Sequence, residues 1–143
     1  MTDVFWMKRA LLFANKALFL NNIPVGAVLV YDNIEIGSSF NYSGFTFCSF
    51  YHAECISLNQ GSFYLSDCLC NNVTLYVTLE PCFMCMSFAF FSKIRRIVFG
   101  AYSGNGDVLI LRSFSTLISL KGGLLESESK NLLKTFYLKN RFH

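Results

Sequence analysis

Little in this chain punctuates it or charges it. Of 143 residues, two are proline, one is tryptophan, two are histidine and only 15% are charged. With prolines only at 24 and 81, and no Gly- or Ser-rich stretch, repeat or low-complexity tract, the sequence offers no linker. A single domain over residues 1–143 is expected, long enough to bury a sizeable core. Long apolar runs are missing too. Hydrophobic residues make up 53% and there are 16 Phe, yet Val25 to Tyr31 is only one strand long. A membrane-spanning helix needs roughly 18 consecutive apolar residues, so no membrane partner is expected. Lys8 and Arg9 precede apolar residues as in an export leader, but Asn15 and Lys16 interrupt that region and no small-x-small cleavage site follows. The expectation is a soluble, cytoplasmic protein. Acidic residues are fewer than basic ones, and the net charge of +3 permits a nucleic-acid partner without demanding one.

Cysteine is what the chain does have. Six cysteines, at 48, 55, 68, 70, 82 and 85, without an export signal do not read as a disulfide framework. Two of them have metal-ligand spacing; the others read as small buried hydrophobes or free thiols.

Hydrophobic periodicity organises the rest. Met7, Ala10, Leu11, Ala14, Ala17 and Leu18 recur at three- and four-residue spacing, so Asp3 to Leu20 is an amphipathic helix that Asn21-Asn22-Ile23-Pro24 ends. Val25–Tyr31 and Ile34–Phe40 read as strands of a hairpin turning at Asp32-Asn33. Asn41 to Tyr51 is loop-like. A short helix begins near His52 and is expected to close at Gly61. Val73–Leu79, rich in β-branched residues, is a strand, and Pro81 stands in the first turn of the helix expected after it. Ile94–Gly100 is another strand, and Glu126–Lys139, with Leu132, Leu133 and Phe136 on one face, is a closing helix. Strands alternating with helices imply an α/β sandwich with some parallel pairing.

The chemistry concentrates in His52-Ala53-Glu54 and Pro81-Cys82-Phe83-Met84-Cys85. One imidazole and two thiolates are three zinc ligands, and three protein ligands leave an open fourth position, the mark of a catalytic rather than structural site. Both groups fall where a helix is expected to begin, and the positive helix end favours thiolate. Alone, His52 would read as a hydrogen-bonded histidine, and Cys82-x-x-Cys85 as a redox pair or half a zinc ribbon. A redox pair explains neither His52 nor Glu54. A structural site needs a fourth ligand nearby, but His143 is terminal and Cys55 sits on the wrong side of the helix turn. Glu54, two residues from a ligand, suits proton transfer to and from a water held at the metal. Met84 and Met86 read as packing, and Phe90 and Phe91 as core. This H-x-E…P-C-x-x-C pattern is that of zinc nucleobase deaminases.

Over nearly its whole length the chain resembles the bacterial tRNA-specific adenosine deaminases of the cytidine deaminase-like fold. The likeness rests on Phe5-Trp6-Met7, on Ile23-Pro24-Val25-Gly26-Ala27-Val28, and on Asn41 standing 11 residues before His52. Thr74-Leu75-Tyr76-Val77-Thr78-Leu79-Glu80-Pro81-Cys82 is its most specific segment, followed by Val98-Phe99-Gly100-Ala101 and the helix from Gly123 through Phe136.

The resemblance implies a three-layer α/β/α sandwich around a mixed five-stranded sheet. It implies one zinc per chain on His52, Cys82 and Cys85, no organic cofactor, and Glu54 as catalytic proton carrier. Asn41, the Ala53 backbone N–H, Val25 and Leu79 would meet the base, and Ser103 would lie among the substrate contacts. The implied reaction replaces the adenine 6-amino group by water, giving inosine at the wobble position of a tRNA anticodon stem-loop, in a homodimer. Three departures bear on RNA fit and subunit packing rather than on metal chemistry. Cys48-Ser49-Phe50-Tyr51 replaces an Asp-Pro-Thr-type run, Ser103 stands where the family has an acid, and Ser87 and Phe88 replace small residues. Gly104 to Leu120 matches poorly and is shortened. Two other readings compete: a deaminase of a free base or nucleotide (guanine, cytosine or deoxycytidylate), and a non-catalytic zinc-stabilised RNA-binding subunit, which would have no need of Glu54.

Overall fold

The structure, a computed structural model, describes residues 1–42, 51–65, 72–104 and 113–141. Helix α1 (Asp3–Phe19) leads into strands β1 (Gly26–Tyr31) and β2 (Ile34–Phe40), followed by α2 (Ala53–Leu65), β3 (Val73–Leu79), α3 (Phe83–Phe91), β4 (Arg96–Ala101), β5 (Ser119–Lys121) and the closing helix α4 (Glu126–Lys139). The sheet runs β2-β1-β3-β4-β5. β1 pairs antiparallel with β2 and β3, while β3–β4 and β4–β5 are parallel, so the sheet is mixed and five-stranded as the resemblance implies.

The central strands are buried on both faces, and their alternation divides the core. Ala27, Val77 and Phe99 lie opposite one another across β1, β3 and β4, as do Leu29, Leu75 and Ile97; all six join Ala53 and Leu58 of α2 and Met86 and Ala89 of α3 in one cluster. Val28, Tyr76 and Val98 point the other way, to Trp6, Met7 and Ala10 of α1. With α4 beside α1 on that second face, the architecture is a three-layer α/β/α sandwich. The near-continuous apolar strands follow from this two-sided burial, since a half-exposed sheet would have alternated.

Local signals set the boundaries. The Thr2 hydroxyl caps α1 by accepting from the Phe5 N–H at 3.2 Å. Asn21, left-handed at φ 60°, ends the helix, with the Asn22 N–H donating back to Ala17 at 2.8 Å. Asp32 and Asn33 both take positive φ, as a tight hairpin turn requires.

Three boundaries differ from expectation. Gly61 does not close α2: it is buried inside a helix that runs on to Leu65, and it is absent from the left-handed residues a C-terminal glycine would join. Pro81 lies just before the helix rather than in its first turn, because Cys82 is the cap residue. Ile94 is buried but precedes β4; left-handed Lys93 turns the chain before Arg96 starts the strand. Phe90 packs on the core, whereas Phe91, at the end of α3, is 80% exposed and not core. β5, three residues long, carries too little pattern to be read from sequence.

None of the described helices is long and apolar enough to cross a membrane.

Candidate active site

The site collects at one end of the sheet. β3 and β4 finish there at Leu79 and Ala101, which pair, and antiparallel β1 begins there at Gly26 opposite Phe40. Ligands in α/β folds bind beyond the carboxyl ends of parallel strands, where helix N-termini converge. Here α2 and α3 both start at that end. The His52 carbonyl accepts from the Ile56 N–H at 3.1 Å and the Cys82 carbonyl from the Met86 N–H at 2.9 Å, so each residue stands at the mouth of its helix.

His52, Cys82 and Cys85 are brought together as the sequence predicted, their donor atoms within 4.8 Å of one another. His52 Nδ1 is 3.6 Å from Cys82 Sγ and 3.5 Å from Cys85 Sγ. A tetrahedral zinc with ordinary Zn–N and Zn–S bonds sets such donors about 3.6 Å apart. The donor set therefore fits zinc in both spacing and type.

Electrostatics agree with that fit. The Cys85 side chain, and then the His52 ring, hold the Cys82 thiol down to about 4. Contacts with the Cys55 and Cys82 sulfurs push the Cys85 thiol up. The Cys82 contact, opposed by burial, raises the His52 imidazole. Glu54, only 4% exposed, has its carboxyl pushed up to about 7 by burial, against the weaker pull of its own backbone N–H and the His52 ring. Sulfurs and a carboxylate crowd a half-buried space that a single dication would neutralise.

The remaining predicted residues fall around this centre. Ala53 is fully buried in the first turn of α2; Val25 lies in the same core cluster, and Leu79 packs against it. Asn41 is 6% exposed, and its backbone N–H donates to the Val25 carbonyl at 3.1 Å. The next residue, Tyr42, donates to the Tyr51 carbonyl at 3.0 Å, which brings the end of β2 to the doorstep of His52. Ser103 is turned to a neighbour: its hydroxyl donates to Glu80 Oε1 at 2.8 Å and its N–H to the same oxygen at 3.3 Å. Of the Cys48–Tyr51 departure, residues 48–50 lie outside the described residues, as do 105–112 of the poorly matching stretch.

One residue was misread. Cys55, set aside as facing away, has its sulfur 3.6 Å from that of Cys85. The signal was available, since residues three apart share a helix face and His52 and Cys55 are three apart.

Comparison with known proteins gives the arrangement its family. The cytidine and deoxycytidylate deaminase zinc-binding region matches residues 1–101. A tRNA-specific adenosine deaminase of Buchnera aphidicola subsp. Baizongia pistaciae is 37% identical over 98% of this chain and 91% of its own. A solved structure from work on A-to-I editing by tRNA:A34 deaminases superposes with a TM-score of 0.82 at 34% identity, covering 90% of this chain and 99% of the other. A guanine deaminase from Nitrosomonas europaea superposes equally well at 0.82 but is 18% identical, with 94% and 84% covered, and so shares the fold alone. The chain belongs to the cytidine and deoxycytidylate deaminase zinc-binding family, among the tRNA-specific adenosine deaminases.

Proposed function

We propose that this protein converts adenosine to inosine at the wobble position of a tRNA anticodon, with residues 1–143 acting as one deaminase domain and Glu54 as its proton carrier. The observation that carries the reading is a buried carboxylate beside three assembled metal donors. His52, Cys82 and Cys85 would hold zinc, whose Lewis acidity brings the pKa of a water to about 7. Glu54 takes one proton of the attacking water and delivers it to the adenine ring nitrogen. It then takes the second from the new C6 hydroxyl and passes it to the departing amine, so that the C–N bond breaks, the carbonyl forms and ammonia leaves. Asn41 would hold the base edge, since one amide both donates and accepts. The Ala53 N–H would meet the base, and Val25 and Leu79 would wall the pocket. Ser103 would act at one remove, fixing Glu80 beside the Pro81-Cys82 turn. An anticodon loop supplies bases that can be splayed into such a pocket, and a cytoplasmic enzyme fits a tRNA substrate.

A homodimer fits the apolar surface of the metal-bearing layer, where Phe63 of α2 and Phe91 of α3 are 78% and 80% exposed. Light scattering on the purified protein reads that state directly.

The deciding experiment offers zinc-loaded protein an anticodon stem-loop with adenosine at the wobble position, alongside free adenosine, guanine and cytosine. Inosine in the stem-loop alone is expected. Conversion of a free base would keep the proton chemistry and replace the substrate. Absence of turnover with one zinc bound per chain would identify a non-catalytic subunit.

A further inference from the structure

Cys55 belongs to the first turn of α2 and Cys85 to the first turn of α3, the two helices whose mouths frame the site. Their sulfurs are 3.6 Å apart, Cys55 half-buried and Cys85 fully buried. A disulfide bond of about 2.05 Å is therefore about 1.5 Å of sulfur movement away, within reach of side-chain rotation across two packed helices. The proton-transfer chemistry gives Cys55 no task, yet it touches a residue on which metal binding depends.

We propose that Cys55 and Cys85 form an oxidisable pair, so that hydroperoxide converts Cys85 from metal ligand to disulfide partner. Cys55, the more accessible sulfur, attacks the peroxide: the O–O bond breaks, an alcohol (or water) leaves, and the thiol becomes a sulfenic acid. The Cys85 thiolate then attacks that sulfur; the S–S bond forms, the S–O bond breaks, and hydroxide leaves as water after taking up a proton. Two thiols supply the two electrons that one peroxide consumes. Cys85 can no longer bind as a thiolate, and His52 and Cys82 alone are too few donors to keep zinc. Thiol reductant reverses the change. Disulfide formation stands on the thiol pair itself, whereas the coupling to zinc loss rests on the metal reading above.

The test treats zinc-loaded protein with hydrogen peroxide, follows released zinc with a chromogenic chelator, and maps cross-links in chymotryptic digests. Cleavage after aromatic residues and leucine separates the three cysteines onto peptides 52–58, 80–83 and 84–88. Expected are a 52–58 to 84–88 linkage growing in step with zinc release, and several-fold slower release from Cys55→Ala and Cys55→Ser. Reductant and added zinc should restore the loaded protein. A linkage joining 80–83 to 84–88 instead, or variants that release zinc as fast as the parent, would overturn the proposal. The expected linkage in a protein that never held zinc would support the pair and overturn the metal reading.

Discussion

Glu54 places an ionisable group where water cannot help it. An isolated buried carboxylate is costly, and its carboxyl is pushed up to about 7 from an ordinary 4.5. The sign of the consequence follows from the raised value. The folded metal-free protein holds a proton there that the unfolded chain has released, so its stability falls as pH rises from about 4.5 to about 7. Glu54→Gln keeps the shape and removes the charge. Metal-free Glu54→Gln is expected to be more stable than the parent by up to about 3 kcal/mol at pH 8 and little different at pH 4, read by urea denaturation at both. The same variant should lose about 10²–10⁴ in deamination rate while still binding zinc. A gain in stability alongside a loss of activity separates a functional carboxylate from a structural one, whose removal would cost both. His52, Glu54, Cys82 and Cys85 were legible in sequence because fixed spacing survives without knowledge of the fold. For Cys55 only half was legible: its three-residue spacing from His52 puts it on the same helix face, but its partner stands 30 positions away on another helix, where no spacing rule reaches.

At the level of elements, the layers approach as closely as their glycines allow. A Cβ on Gly26 would stand 2.0 Å from the Ala10 carbonyl oxygen and 2.5 Å from the Ala14 nitrogen, both backbone atoms of α1 that cannot step aside. Gly26→Ala is therefore expected to push α1 off β1, the strand that opens toward the site. The cost should be about 2–3 kcal/mol or more, read as a lower Tm, with zinc affinity falling alongside. At the opposite side of the structure α1 is tied by charge. Asp3 accepts from Arg96 at 2.6 and 3.0 Å and from Tyr76 at 2.7 Å, with Lys121 of β5 at 3.2 Å. The Arg96 contact holds the Asp3 carboxyl well below its ordinary 3.8. Its contribution is thus complete above about pH 4 and lost on further acidification. Asp3→Asn should cost about 1–2 kcal/mol at pH 7, and the deficit should shrink as pH falls below 4, measured by thermal unfolding across that range. Strongly patterned elements such as Asp3–Phe19 and Val73–Leu79 could be read from sequence within a residue or so. β5 could not: Ser119–Lys121 becomes a strand only because Arg96, Ile97 and Val98 offer it an edge. Gly61 misled for a similar reason, since packing against the sheet carries α2 through a residue that an isolated helix would use to stop.

Across the whole molecule, the metal donors join two helices that stand on either side of β3 in the chain. α2 and α3 cover the same face of the sheet, and their N-termini meet at His52, Cys82, Cys85 and Cys55. Filling that junction with a dication binds α2 to α3 across β3; emptying it leaves buried acidic groups facing each other. Two pH effects then act in the same direction. Zinc binding displaces the proton of the Cys85 thiol, which its neighbours push up, so affinity rises with pH. The metal-free fold meanwhile weakens as Glu54 ionises between about 4.5 and 7. The Tm difference between zinc-loaded and chelator-stripped protein should therefore widen steadily from pH 5.5 to 8, as scanning calorimetry would measure. In Glu54→Gln the metal-free term vanishes while thiol displacement remains, so the widening should persist at a shallower slope. A gap independent of pH in the parent would mean that the metal does not displace the Cys85 thiol proton, and the assignment of Cys85 as its ligand would fail with it.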